Sequence, residues 1–185
     1  MKTFHIGVDI GYRRDTSAVI GVYRDYDTRK FLLGFHRIWE APVKIPDVTQ
    51  YVRDRFNDSP VAGVWFDPSQ WAAEAQHLQD EGYGRYLNEV NQTGPYMIQA
   101  GTILHTLMQR RDFIMYPAPT LRSHFSWCAV KMTEKGPRII KTQQSKQIDA
   151  VIASAMALYG ASQDDGFVES PHITSEHIVE LEALL

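Results

Sequence analysis

The sequence predicts an α/β domain built on a mixed β-sheet that is flanked by helices and accompanied by an additional β-hairpin. The chain opens with three β-prone runs joined by short polar connections, as in an antiparallel meander: residues 4–10, 17–23 and 30–39. Strand and helix patterns then alternate, which indicates a mixed sheet with helices on its faces. A glycine in the polar connector between residues 129–132 and 138–141 predicts the hairpin.

The later elements follow from apolar spacing. Short apolar runs predict three more strands, over residues 61–67, 86–90 and 113–116. Helical spacing predicts four helices, over residues 46–56, 70–80, 102–111 and 121–127. The clearest helix covers residues 147–161, where six apolar side chains recur at helical spacing: Ile148, Val151, Ile152, Ala155, Met156 and Tyr159. We expect residues 1–161 to form one domain and residues 162–185 a tail, with a short helix over 175–185.

Composition places the chain among globular proteins. Hydrophobic residues make up 44% of the 185 residues and charged residues 22%, which provides a core and is not a disordered composition. The single Cys128 excludes an intramolecular disulfide and a cysteine-based zinc site, so we expect a reducing, intracellular compartment. We expect neither a signal peptide nor a membrane partner. With a formal net charge of -3, a nucleic-acid surface must be a local basic patch.

Three aspartates stand out by their positions. Asp9 lies near the end of the first apolar strand, Asp67 ends the strand after the meander, and Asp149 lies in the first turn of the clearest helix. If the two strands are neighbours, a helix packed at their ends brings the third carboxylate to the same point. Converging carboxylates repel one another unless a cation lies between them, and oxygen ligands suit Mg²⁺ or Mn²⁺. A pair of such ions roughly 3.5–4 Å apart is a common device for phosphodiester hydrolysis.

Each aspartate also has an ordinary structural explanation. Asp9 suits a satisfied carboxylate at a strand end, Asp67 before Pro68 suits the start of a turn, and Asp149 suits a first-turn acid that complements the helix dipole. For any one of them the structural explanation is the commoner case. The order of the three, and the elements that carry them, favour a shared site.

Four stretches carry a resemblance to a known family. They are Gly7-Val8-Asp9-Ile10-Gly11, Asp15-Thr16-Ser17-Ala18, Val64-Trp65-Phe66-Asp67 and Lys146-Gln147-Ile148-Asp149-Ala150. In this order they resemble the RNase H-like nuclease superfamily and, within it, the nuclease domain of phage large terminase subunits. The last stretch, which leads into a helix of small residues, is the most specific. The resemblance covers residues 4–161.

The resemblance implies a metal-dependent DNA endonuclease. Asp9, Asp67 and Asp149 would be its catalytic residues and would hold Mg²⁺ or Mn²⁺, two ions with DNA bound. The enzyme would cut concatemeric double-stranded DNA during viral genome packaging, in the cytoplasm of the infected host cell. Many relatives have a second acid beside the third position, where this chain has Ile148 and Ala150. Asp15 is a candidate for a fourth ligand, with a turn residue as its alternative role.

The resemblance also implies partners. These are the ATPase domain of the terminase, the portal and the small terminase subunit. A complete large terminase carries its ATPase domain ahead of the nuclease, but no Gly-x-x-x-x-Gly-Lys-Ser/Thr loop occurs in this chain. We therefore expect the nuclease domain alone, without ATP hydrolysis or translocation.

Local clusters of basic residues are the candidate DNA contacts. Most of them flank the predicted hairpin and the start of the last helix, and two others follow Asp9: Lys131, Lys135, Arg138, Lys141, Lys146, Arg13 and Arg14. Such residues contact phosphates, so cutting would show little sequence preference and strong salt dependence. The alternative role is a solvated hairpin whose lysines discourage edge pairing.

Three other functions compete with this one. The run Val8-Asp9-Ile10-Gly11 resembles the first phosphate loop of actin-like and sugar-kinase ATPases, but the chain is too short for two such halves and lacks a glycine-rich adenosine loop. A Holliday-junction resolvase would use the same acidic logic on a structured DNA. An inactive nuclease-like domain would dock on a capsid or motor partner through the acidic tail.

Overall fold

The structure is a computed structural model that describes residues 2–11, 15–92, 94–134 and 136–164, together with the backbone of 178–180. Nine strands and five α-helices lie within these residues. The strands are β1 (Phe4–Asp9), β2 (Ser17–Arg24), β3 (Phe31–Trp39), β4 (Val61–Phe66), β5 (Leu87–Glu89), β6 (Phe113–Ile114), β7 (Cys128–Thr133), β8 (Gly136–Lys141) and β9 (Ile178–Glu180). The helices are α1 (Ile45–Asp58), α2 (Pro68–Leu78), α3 (Pro95–Arg110), α4 (Pro119–Ser126) and α5 (Asp149–Gln163).

Six strands form a mixed sheet in the order β5-β4-β1-β2-β3-β6. Strands β1, β2 and β3 form the predicted antiparallel meander. Strand β4 joins β1 in parallel, and β5 joins β4 in parallel. The carboxyl ends of β1, β4 and β5 therefore lie at one edge of the sheet. The predicted α/β fold with a flanked mixed sheet and an added hairpin is confirmed.

The two faces of this sheet bury different cores. On one face α3, α4 and α5 pack against β2 and β3, and on the other α1 and α2 pack against β1 and β4. Because side chains alternate along a strand, Ile6 and Val8 point to the α1–α2 face while His5, Gly7 and Asp9 point to the face covered by α5.

Helix boundaries differ from the predicted ones where proline and capping residues decide them. The third helix begins at Pro95, seven residues before the predicted start, with Gly94 as its N-cap. The second begins at Pro68, because Asp67 caps it through the amide of Ser69. Proline suits the first turn of a helix, since the missing N–H has no intrahelical partner there. No helix in the described residues is long and apolar enough to cross a membrane.

The predicted hairpin is the β7–β8 pair, and it belongs to a second, three-stranded sheet in the order β8-β7-β9. The tail supplies β9, whose Ile178 to Glu180 pairs antiparallel with residues 129–131 of β7. The helix predicted over 175–185 is therefore wrong at residues 178–180, because these residues complete the backbone pairing of β7. The other residues of that predicted helix lie outside the described residues.

Candidate active site

Asp9 and Asp67 stand at the same edge of the large sheet. In the parallel pairing of β1 with β4, Val8 lies opposite Phe66, and each of these residues is followed by its aspartate. The sequence pattern that singled out both strand ends thus corresponds to adjacent positions in the fold.

A close helix–strand contact brings the third aspartate to this edge. A Cβ at Gly7 would lie 1.9 Å from the carbonyl oxygen of Ala153 and 2.9 Å from the amide nitrogen of Ala157, so only glycine allows α5 to pack this tightly on β1. Small buried residues on the helix make the matching surface. Asp149, the first residue of α5, consequently reaches the end of β1.

The three carboxylates share one cleft. It has a volume of about 440 Å³ and is lined by Asp9, Asp67 and Asp149 together with Asp15, Gln92 and Lys141, among others. The structure thus brings the three predicted site residues together, and it adds the fourth acid that the sequence suggested.

Asp9 is the most strongly perturbed acid of the cleft. Its side chain is buried, with the residue 6% exposed. Burial, followed by the charges of Asp149 and Asp67, raises the pKa of Asp9 to about 8, although a hydrogen bond from Gln92 and the charge of Lys141 oppose the shift. A carboxylate in this position gains stability from a proton or from another cation.

Asp149 is anchored by a hydroxyl donor. Thr16 is buried, and its Oγ1 donates to Oδ2 of Asp149. Burial raises the pKa of Asp149, and the nearby charge of Asp15 adds to the rise, while the Thr16 hydrogen bond and Lys141 act against it.

Asp67 fulfils its structural role and lines the cleft as well. Its Oδ1 accepts from the backbone amide of Ser69 at 2.8 Å, which caps α2, and its Oδ2 accepts from the amide of Gln92 at 3.0 Å. Two backbone donors fix the orientation of this carboxylate. The predicted turn-forming role and the predicted site position are thus both present at one residue.

Gln92 connects two of the acids. Besides its amide contact with Asp67, its side-chain Nε2 donates to Oδ1 of Asp9 at 2.7 Å. The residue lies just after β5, at the same sheet edge as the two aspartates. Sequence reasoning missed it. The sequence feature that could have identified Gln92 is its position, two residues after a predicted strand. In a sheet with parallel strands, polar residues at the carboxyl ends of neighbouring strands lie close together.

Two further groups shape the helix end. Lys141 at the end of β8 lines the cleft, and its Nζ donates to Oε1 of Gln147 at 3.3 Å. The amide of Ala150 donates to Nδ1 of buried His124 at 3.4 Å. Burial and the charge of Lys141 lower the pKa of His124 to about 4, so its ring is neutral and can accept this bond.

The donor set of the cleft fits a hard divalent cation. Mg²⁺ and Mn²⁺ prefer carboxylate oxygens, and here the carboxylates of the half-buried Asp67 and Asp149 raise the pKa of the buried Asp9. In the part of the chain that the structure describes, however, no three His, Cys, Asp or Glu side chains are arranged as the ligands of a single ion. The acids would therefore have to draw together, or be supplemented by water or substrate oxygens.

The predicted DNA contacts fall into three groups. Lys131 and Arg138 are exposed and directly opposite each other on the hairpin, and Lys141 lines the cleft. Lys146 instead lies over the ring of Trp127, 4.7 Å from its centroid. Arg13, Arg14 and Lys135 lie outside the described residues.

Known structures share this architecture. The HK97 phage large terminase superposes with a TM-score of 0.74 at 18% identity, covering 87% of this chain and 40% of the terminase chain. The nuclease domain of the large terminase of Thermus phage P74-26 gives a TM-score of 0.68 at 17% identity and covers 91% of this chain and 84% of its own. This is the fold of a phage large-terminase nuclease domain.

Among structures with the terminase nuclease fold, several were solved with metal. The SPP1 phage nuclease domain, with bound Mn, gives a TM-score of 0.60 at 17% identity and covers 88% of this chain and 86% of that domain. Structures of the phage G20c terminase nuclease contain magnesium or zinc. No protein-family model and no curated protein matches the sequence. The chain spans 40% of the length of the HK97 large terminase.

Proposed function

We propose that the chain is a divalent-metal-dependent DNA endonuclease that acts in viral genome packaging. The observation that carries the proposal is the convergence of Asp9, Asp67 and Asp149 in one cleft, where burial and mutual repulsion raise the pKa of Asp9. Burying an ionised Asp9 beside two other carboxylates costs free energy, and a bound cation would offset that cost. The terminase nuclease fold, found in domains solved with Mn, Mg and Zn, supports the same conclusion.

In this proposal Asp9, Asp67 and Asp149 hold Mg²⁺ or Mn²⁺, with two ions when DNA is bound. Bound metal would activate water and stabilise the leaving oxygen of the phosphodiester. The chain's own residues prepare the site. Thr16 orients Asp149, Ser69 orients Asp67, and Gln92 sets the orientations of Asp9 and Asp67 relative to each other.

We propose that the substrate is double-stranded DNA, held through its phosphates with little sequence preference. The hairpin presents Lys131 and Arg138 side by side, and Lys141 extends this positive charge into the cleft. Arg13, Arg14, Lys135 and Lys146 remain proposed contacts. The partners would be an ATPase domain, the portal and the small terminase subunit, and cutting would occur on concatemeric DNA in the infected host's cytoplasm.

Plasmid cleavage tests the proposal directly. Supercoiled DNA is incubated with the chain in EDTA, Mg²⁺ or Mn²⁺, and nicked and linear products are measured. We expect metal-dependent cutting that Asp149→Asn reduces by roughly 10²–10³-fold, the scale expected for loss of a group that stabilises transition-state charge.

The matched control is Asp164→Asn, which makes the same change at the other end of α5. It should leave cleavage unchanged. If the folded wild-type chain cuts no DNA with any metal, the nuclease proposal fails and an inactive docking domain becomes the better explanation.

Salt dependence tests the hairpin contacts. Replacing Lys131 and Arg138 with alanine should weaken DNA binding and lower the slope of log K against log salt by about 2, because each phosphate contact contributes about 0.9. Fluorescence anisotropy over a salt series measures this slope. The control pair Lys2→Ala and Lys30→Ala removes the same charge near the opposite end of the sheet. An equal change in both double variants would show that the hairpin is not a specific contact.

A further inference from the structure

A second cavity continues the acidic cleft. It is a groove of about 590 Å³ between the first turn of α3 and the hairpin, and we call it the α3–hairpin groove. Gln92, Ile139 and Ile152 line both cavities. Gln92 therefore stands at their junction, and a strand whose phosphate lies beside the carboxylates can extend directly into the groove.

The floor of the groove is apolar and built from a tight contact. Met97 and Ile98 of α3 face Ile139 of β8, and a Cβ at Gly101 would lie 3.3 Å from the carbonyl oxygen of Pro137. Ile98 also approaches Gly136, so α3 and the hairpin hold a fixed separation. The cavity volume is in the range of small-molecule sites.

One arginine stands at the rim of the groove. Arg138 lines it, and Lys131 lies opposite Arg138 in the β7–β8 register, so both side chains project from the same face. Of the lining residues that the structure describes, Glu134 at the turn is the one acid. An apolar floor beside the Arg138 guanidinium complements a ligand with a flat, weakly polar body and an attached phosphate.

We propose that the α3–hairpin groove binds one unpaired nucleotide of the DNA strand whose phosphate lies in the cleft. Its base lies on Met97, Ile98 and Ile139, and its phosphate faces Arg138. The inference rests on the proposed nuclease function and adds a subsite to it. Because a paired base must leave its stack to enter, binding favours mismatches and frayed ends, where unstacking costs least.

Disulfide capture tests the subsite. The only cysteine, Cys128, is fully buried, and burial raises the pKa of its thiol to about 12, so it provides an unreactive background. Met97→Cys places a reactive thiol in the groove. Thr28→Cys is the control, in the turn at the opposite end of β2 from the cleft. The probe is duplex DNA with a thiol-tethered cytosine, either paired with guanine or mismatched, in Mg²⁺.

We expect Met97→Cys to capture the mismatched probe about tenfold more than Thr28→Cys does, because a base held in the groove raises the effective concentration of its thiol beside residue 97. The paired probe should be captured less. Equal capture by the two variants, in a chain that binds the probe and cuts plasmid, would overturn the groove and leave the nuclease standing. A wild-type chain that neither binds nor cuts DNA would overturn both proposals.

A second variant covers the case in which Met97→Cys does not fold. Ile98→Ala removes apolar floor from the groove without adding charge. It should weaken binding of the mismatched probe by roughly fivefold, because the base loses part of its apolar contact, and change binding of the paired probe less. Anisotropy measures both affinities, and equal weakening of the two would contradict an unpaired base in the groove.

Discussion

Each end of α5 carries an aspartate that lies near β1. One of them faces a carboxylate of that strand, and the other faces an imidazole. At its start Asp149, which is half-buried, lies near the buried Asp9, so the two carboxylates repel each other. At its far end Oδ2 of Asp164 lies 2.7 Å from Nε2 of His5, where an imidazole N–H donates to the carboxylate. His5, Gly7 and Asp9 share one strand face, so a single helix–strand contact contains both arrangements.

This difference separates holding the fold from preparing the site. The His5–Asp164 pair ties the helix end to the strand. The Asp9–Asp149 pair costs free energy in the absence of a cation, and it is held in place by Thr16 and by the close packing of α5 on Gly7. The contacts of α5 with β1 stabilise the fold, and the repulsion between carboxylates is confined to the proposed active site.

The largest expected effect is on folding stability and comes from removing the charge of Asp9, which repels Asp149. Asp9 has a pKa of about 8 in the folded chain and an ordinary value of 3.8, so the folded state retains a proton that the unfolded state loses between these pH values. Stability of the metal-free protein should therefore fall as pH rises from about 4 to about 8. Asp9→Asn should remove this contribution and stabilise the protein by up to a few kcal/mol at pH 8.

Urea unfolding in EDTA over a pH series measures this effect, and plasmid cleavage measures its functional counterpart. The Asn variant should gain stability while losing cleavage. A variant that loses stability at pH 8 would show that Asp9 is a structural carboxylate and not a ligand waiting for a cation.

A smaller effect is expected from the residue that joins two acids. Gln92→Ala removes the donor to Asp9 and should weaken Mn²⁺ binding by about 10–100-fold, the usual effect of losing a partner that orients a ligand. Calorimetric titration measures the affinity. Gln76→Ala is the matched control, because Gln76 also donates to a carboxylate, that of Asp80, but on the exposed surface of α2. Equal affinities in the two variants would remove Gln92 from the site.

The smallest expected effect is on folding stability and comes from changing Asp164, at the far end of α5. Asp164→Asn weakens the acceptor for His5 and should cost about 1 kcal/mol or less, since Asp164 is half exposed and one hydrogen bond has a modest net value. Thermal unfolding measures the loss, and cleavage should be unchanged. A strong loss of cleavage would mean that the far end of α5 also controls the site.

The sequence predicted the elements whose signals are local. Short apolar runs identified the meander and β4, and helical apolar spacing identified α5. The aspartates at the ends of β1, β4 and α5 led to the shared cleft. Thr16 and Gln92 could not be assigned a role in the same way. Their hydrogen bonds depend on which loops meet after the strands pair, and no local pattern specifies that.

The tail shows the same limit from the other side. Residues 178–180 fit a local helical pattern, but the structure pairs them with β7, a long-range contact. The basic hairpin was predicted from composition and glycine. The predicted basic contacts have different environments: Lys131 and Arg138 are exposed on the hairpin, Lys141 lines the cleft, and Lys146 beyond the hairpin lies over the Trp127 ring. These environments emerge only when β8 is placed next to α5 and α4.

The third strand of the small sheet also bears on how the protein behaves when it is shortened. Ending the chain after residue 161, the predicted domain boundary, would remove β9 and leave the outer edge of β7 with unpaired backbone groups at residues 129–131. An exposed edge of this kind invites pairing with another molecule. The shortened protein should therefore self-associate as its concentration rises. In the full chain, β9 covers this strand edge and so reduces the tendency to aggregate.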